Sequence, residues 1–173
     1  MLNRIVAEAG RLSGACFNRV YLFGYSGGGQ FAHRYTFAHP QRVVALVIGA
    51  AGWYTFPDSE RPYPQGTGEA VGLPGVRFDP THYLRVPACV LVGALDTKRD
   101  GELQKSSGLD RRQGRNRVQR GRSWVEAMRS AADEIGLQTR YRIELLPGVG
   151  HSFSDAEASG DLSRRLSAFL FAS

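Results

Sequence analysis

Four strand-like apolar runs punctuate the chain: Val20-Tyr21-Leu22-Phe23, Val43-Val44-Ala45-Leu46-Val47-Ile48, Ala88-Cys89-Val90-Leu91-Val92 and the segment 141–146. The second is apolar at every position, as in strands covered on both faces. Helix-compatible segments separate or follow these runs, over 3–13, 28–38, 116–135 and 157–171. In the first of them Ile5, Ala9 and Leu12 share one face. Local signals end the others: His39-Pro40 closes the second and Gly136 the third. The alternation predicts an α/β fold, a mainly parallel sheet of about four strands with flanking helices, in a single domain over 1–173. Two stretches break the order. Residues 53–87 are rich in Pro, Gly and aromatics, and 97–114 are polar and glycine-containing; long irregular segments of this kind in a compact domain are usually functional or mobile.

Composition narrows the classes open to such a chain. Its 173 residues, 42% hydrophobic, suffice for a real core. No segment approaches the ~20 apolar residues of a membrane span. Glu8 and Arg11 stand where a signal peptide needs an apolar stretch, so the chain as given reads as cytoplasmic. Two cysteines are too few for a disulfide framework. Cys89 falls inside a strand-like run and reads as a buried, inert thiol, and Cys16 is uninformative. No residue cluster has the spacing of a metal site. The net charge is +6, with arginines concentrated between Arg111 and Arg122. Arg115, Arg117, Arg120 and Arg122 enter a helix that continues through Trp124 and Met128, so they read as its solvated face. No aromatic platform interleaves with them, which argues against a nucleic-acid partner.

The chemistry lies elsewhere. Gly24-Tyr25-Ser26-Gly27-Gly28 follows the first strand and precedes a helix, the G-x-S-x-G pattern in the strand–turn–helix setting of a nucleophile elbow. A serine on so sharp a turn needs small neighbours, so that strand and helix can approach. The Gly27 amide, at the helix start, would face a developing oxyanion. A hydroxyl alone is a weak nucleophile, so a base and its orienter must come from other segments. Asp96 ends the third strand-like run, and His151 sits in the loop after the fourth. Parallel strands bring all three to one sheet edge, where His151 would serve as general base and Asp96 would orient it. Asp79 and Asp100 compete for the acidic role. His33 and His39 lie on a helix or its end and His82 in the irregular stretch, so only His151 follows the last strand. Tyr25, Trp53 and Tyr54 are candidates for the substrate wall, with ordinary packing as the alternative for the aromatics of 53–87.

The order Ser26, Asp96, His151, with the elbow Tyr25-Ser26-Gly27-Gly28-Gly29-Gln30, resembles the α/β-hydrolase superfamily. The segments Ala50-Ala51-Gly52-Trp53-Tyr54 and Gln113-Gly114-Arg115-Asn116-Arg117 look more like its polyhydroxybutyrate-depolymerase and esterase branches. The resemblance implies hydrolysis of a small-molecule ester through an acyl-enzyme, without a cofactor. It also implies strands ahead of the elbow and a loop giving a second oxyanion donor, neither of which this sequence contains. The chain is therefore expected to be the C-terminal half of such a domain, its open sheet edge covered by a dimer partner or a second chain. A non-catalytic binding module, or an inactive truncated fragment, is the competing expectation.

Overall fold

Strands β2 (Val43–Gly49) and β3 (Ala88–Gly93) are buried almost throughout and form the centre of a four-stranded sheet. β1 (Val20–Tyr25) and β4 (Tyr141–Leu146) flank them in the order β1-β2-β3-β4, every pair parallel. A computed structural model describes residues 2–15 and 17–171 of the chain; Cys16 lies outside the described residues. In register, Gly24 sits beside Ile48, Ile48 beside Val90, and Val90 beside Ile143. Because side chains alternate across a strand, the two central strands feed two separate cores. Leu46, Ile48, Val90 and Val92 face one side, where they meet Phe37 of α2 (Gly27–Ala38) and Trp124 and Met128 of α5 (Arg117–Glu134). Ala45, Val47, Cys89 and Leu91 face the other, against Ala156 of α6 (Phe153–Gly160) and Leu162 and Phe169 of α7 (Leu162–Leu170). This two-sided burial is the physical reason that these runs are apolar at every position. Burial also pushes the Cys89 thiol up to about 11, where it stays protonated.

The remaining elements are α1 (Leu2–Ser13), a short 3-10 turn over Pro40–Arg42, the one-turn α3 (Pro80–Tyr83) and α4 (Ser107–Gln113). Three features depart from the sequence reading. The segment 157–171 is two helices: Asp161 adopts a left-handed conformation (φ 53°) and ends α6 before α7 begins. Gly160, beside that break, sits where a Cβ would press on the Leu146 side chain at 3.2 Å. The polar stretch 97–114 contains α4, whose start Ser106 caps by accepting from the Leu109 N–H. The stripe of α1 also points outward, with Ile5 55% and Leu12 72% exposed. Leu2 and Asn3 hold that helix, Leu2 packing on the core and Asn3 accepting a hydrogen bond from the Tyr35 hydroxyl. The outer edge of β1 has no strand neighbour among the described residues, and Tyr21 of this strand packs edge to face with Phe171, both exposed. No helix among the described residues is long and apolar enough to cross a membrane.

His33 ties the irregular stretch to α2. Its ring is fully buried beside Trp124, its Nδ1–H donates to the Gly29 carbonyl at 2.9 Å, and its Nε2 accepts the Thr55 N–H at 2.9 Å. An acceptor role for Nε2 requires the neutral ring, and burial, assisted by the Arg34 charge, pushes its pKa down to about 3. A folded pKa below the unfolded 6.5 means that the unfolded chain binds the extra proton between these values. His33 therefore contributes stability in full above pH 6.5 and loses it as the pH falls toward 3. In denaturant titrations, the stability advantage of wild type over His33→Gln should shrink across that window, with a slope approaching about 1.4 kcal/mol per pH unit. A pH-independent difference would contradict the neutral buried ring.

Candidate active site

The turn between β1 and α2 is built from close backbone contacts. Ser26 holds φ 51° and ψ −115°, outside the region that residues with a side chain favour, and its N–H donates to the Gly49 carbonyl of β2 at 2.7 Å. A Cβ at Gly24 would lie 2.1 Å from the Gly28 carbonyl oxygen and 2.3 Å from its carbon. One at Gly29 would meet the Gly24 and Gly49 carbonyl oxygens and Ile48 at 3.0–3.1 Å. Gly27 and Gly28 have open space around them. The steric demand of the G-x-S-x-G pattern thus falls on its first glycine and on Gly29, just beyond it. Gly27, exposed at the first helical position, carries an amide with no intrahelical acceptor.

Three side chains from separate strand ends meet here. The Ser26 Oγ lies 3.2 Å from His151 Nε2, and His151 Nδ1 lies 2.8 Å from Asp96 Oδ2. A carboxylate only accepts, so Nδ1 carries the hydrogen and Nε2 is left to accept from the Ser26 hydroxyl. Asp96 is 1% exposed in the turn just beyond β3, and its second oxygen accepts from Arg117 Nη1 at 3.2 Å. Arg117, itself buried, also donates to both oxygens of Asp100, at 2.9 and 3.3 Å. That contact with Arg117 pushes the Asp100 carboxyl down to about 2. Such a relay can draw a proton from the hydroxyl and hold the resulting imidazolium beside a negative charge.

The other residues singled out from the sequence are spread more widely. Tyr25 stacks on the His151 ring with centroids 5.9 Å apart and meets Phe153 edge on. Burial, reinforced by the Asp96 charge, pushes its hydroxyl up to about 12. Trp53 is half-buried under the Arg34 guanidinium, which lies 4.2 Å from its ring centre. Tyr54 is in the core instead: fully buried, stacked on Trp124, its backbone held in both directions by the Gln113 amide. It offers no surface to a substrate. Of the rival acids and histidines, Asp79 and His82 pair with each other in the open, and Asp100 serves Arg117. His39 lies at the end of α2, and His33 is structural.

The arginine run needs correction as well. Arg117 and Arg120 are 1% and 0% exposed, so this side of α5 is not a solvated face. Arg120 donates to the carbonyls of Gly52, Gln104 and Gly114 and to Asp110, joining three loops around the helix start. Residue spacing alone did not single out Arg117 as the partner of Asp96. One signal was present: a cation in the first turn of a helix opposes the helix dipole, so it needs compensation from elsewhere.

These contacts separate the glycines experimentally. Gly24→Ala forces backbone atoms apart and should cost at least about 1–3 kcal/mol of stability. Gly28→Ala meets nothing and replaces glycine inside a helix, so it should be neutral or stabilising by up to about 1 kcal/mol. Thermal unfolding of the two variants checks the contrast, and equal effects would refute the assignment of the steric demand.

No protein-family model matches the sequence, and no curated protein does. Among solved structures, the chain is similar to poly(aspartic acid) hydrolase-1 from Sphingomonas sp. KT-1, with 25% identity and a TM-score of 0.79 over 96% of this chain and 60% of that one. It is similar also to LpqC, a poly(3-hydroxybutyrate) depolymerase from Bordetella parapertussis, with 31% identity and a TM-score of 0.76 over 97% of this chain and 54% of that one. The chain thus spans little more than half the length of these two proteins. The parallel sheet with its flanking helices and the match to both structures place this chain in the α/β-hydrolase superfamily.

Proposed function

We propose that the chain carries the reaction centre of a serine hydrolase that cleaves an ester bond through an acyl-enzyme. The observation that supports this best is the unbroken hydrogen-bonded series from Ser26 through His151 to Asp96. In this scheme the Ser26 Oγ attacks the carbonyl carbon while its proton passes to His151 Nε2. Asp96 keeps the imidazole in the required tautomer and stabilises the imidazolium. The oxyanion develops beside the Gly27 amide; one such donor is worth about 10²–10³ in rate. Collapse of the tetrahedral intermediate expels the alcohol, which takes its proton from His151. Water then enters by the same route in reverse, with His151 again the base, and releases the acid and free Ser26. The scheme draws on no cofactor.

Burial of Arg117 fits the same reading. It holds the Asp96 oxygen that His151 does not use, so the carboxylate cannot rotate away from the ring. The structurally similar proteins act on polymers, one on poly(aspartic acid) and the other on poly(3-hydroxybutyrate), which directs substrate trials toward oligomeric acyl compounds.

A fluorophosphonate probe tests the chemistry directly, because it reacts with an activated serine. Wild type should be labelled at Ser26 and Ser26→Ala should not. His151→Ala should slow labelling by at least about 10³-fold, and Asp96→Asn by about 10⁴-fold at most. Folded protein that resists the probe, or a Ser26→Ala variant that labels equally well, would refute the proposal.

A further inference from the structure

A cleft of about 430 Å³ runs along α2 from Gly27, the residue after Ser26. Gln30, Phe31 and Arg34 of α2 form one wall, and Tyr63, Val76 and Phe78 from the irregular stretch form the other. Among the described residues, no acidic one lines it. Within this largely apolar cleft Arg34 is the permanently charged group. Its Nε donates to the Thr55 hydroxyl at 3.2 Å and its Nη2 to the Gln30 side-chain oxygen at 3.4 Å, and its central carbon lies 4.2 Å from the Trp53 ring centre. All three partners are neutral. Burial pushes Arg34 below its ordinary value, and only Tyr63 opposes the shift; no carboxylate among the described residues pairs with it. The two fully buried arginines of this fold, Arg117 and Arg120, are each paired with aspartate among the described residues.

We infer that Arg34 is a carboxylate-recognition subsite for the substrate processed at Ser26, so that the ester acted on carries an anionic group. A guanidinium held over an indole, with two of its N–H groups bonded to neutral acceptors, keeps its remaining N–H groups ordered for an incoming anion. Charge-assisted bonds to a carboxylate are about twice as strong as the neutral ones it makes now. The spacing sets the length of the ligand. The backbone of Arg34 lies seven residues beyond that of Gly27, about 10 Å along the helix at 1.5 Å per residue. A carboxylate bound by a side chain on that turn suits an extended oligomer or a long-chain diacid, with Phe31 and Phe78 covering the apolar span between. Short acyl esters would leave the subsite empty.

This inference rests on the proposed hydrolase reading for its direction, but it can be tested separately. Sebacate, a linear diacid of suitable length, is titrated into wild type, Arg34→Met and Arg34→Lys by calorimetry. Methionine keeps an unbranched apolar stem over Trp53, and lysine keeps the charge. The expected result is binding to wild type, loss of at least tenfold in affinity in Arg34→Met, and a smaller loss in Arg34→Lys. Equal affinity for wild type and Arg34→Met, or no binding to wild type, overturns the subsite. A second readout uses two esters, the mono-p-nitrophenyl ester of sebacic acid and the acetate ester of 10-hydroxydecanoic acid. Whichever loses rate in Arg34→Met identifies the acyl or the alcohol portion as the bearer of the carboxylate. If neither ester turns over and Ser26 resists the fluorophosphonate while sebacate still binds through Arg34, the hydrolase reading fails and the subsite stands.

Discussion

No side chain fits between the end of β1 and the start of α2. A Cβ at Gly24 would overlap the Gly28 carbonyl, and one at Gly29 would press on the Gly24 and Gly49 carbonyls. This contact sets the angle at which the helix leaves the sheet, and much else follows from that angle. It forces Ser26 into its unusual backbone conformation and turns the hydroxyl toward His151. It leaves the Gly27 amide uncovered at the helix start. It also lays the α2 face with Gln30, Phe31 and Arg34 along a cleft that begins at the same turn. Strain at one residue persists because the surrounding backbone over-determines it. Here the hydrogen bond from Ser26 N–H to Gly49 and the two-sided burial of β2 supply that constraint.

Buried charge is the second organising theme. Arg117 and Arg120 are both taken out of water at the start of α5, and isolated charges there would be costly to bury. Arg117 is offset by Asp96 and Asp100, and Arg120 by Asp110 and three backbone carbonyls. Removing one partner of such a set leaves an uncompensated charge, which makes the arrangement rigid rather than merely stable. The Asp96 carboxylate inherits that rigidity, and through it so does the ring of His151. Arg34 differs in kind: it is half-buried, held only by neutral groups, and faces open space.

The four strands and the principal helices were legible because their signals are local and repeated. In β1, β2 and β3, apolar runs of four to six residues leave little freedom once the sheet must be covered. The convergence of Ser26, Asp96 and His151 was also legible, since parallel topology brings strand ends to one edge whatever the connecting segments do. Elements whose existence depends on a single residue were not. Asp161 splits one helix into two, and the Ser106 cap starts α4 within a polar stretch that carries no apolar period.

The sequence by itself determined the α/β order, the turn at Ser26 and the chain order of the three residues that meet there. Local spacing and small-residue sterics suffice for these. Only the tertiary structure decided which polar side chains are buried and with what. Tyr54 and Trp53 are neighbours in sequence, yet one is sealed in the core and the other supports Arg34 at a cleft. Arg117 and Arg120 lie on what reads as a solvated face, yet Asp96 and Asp100 hold Arg117 and loops carrying Gly52, Gln104 and Gly114 close over Arg120. Burial of a charge depends on partners many residues away, and no local pattern encodes their arrival.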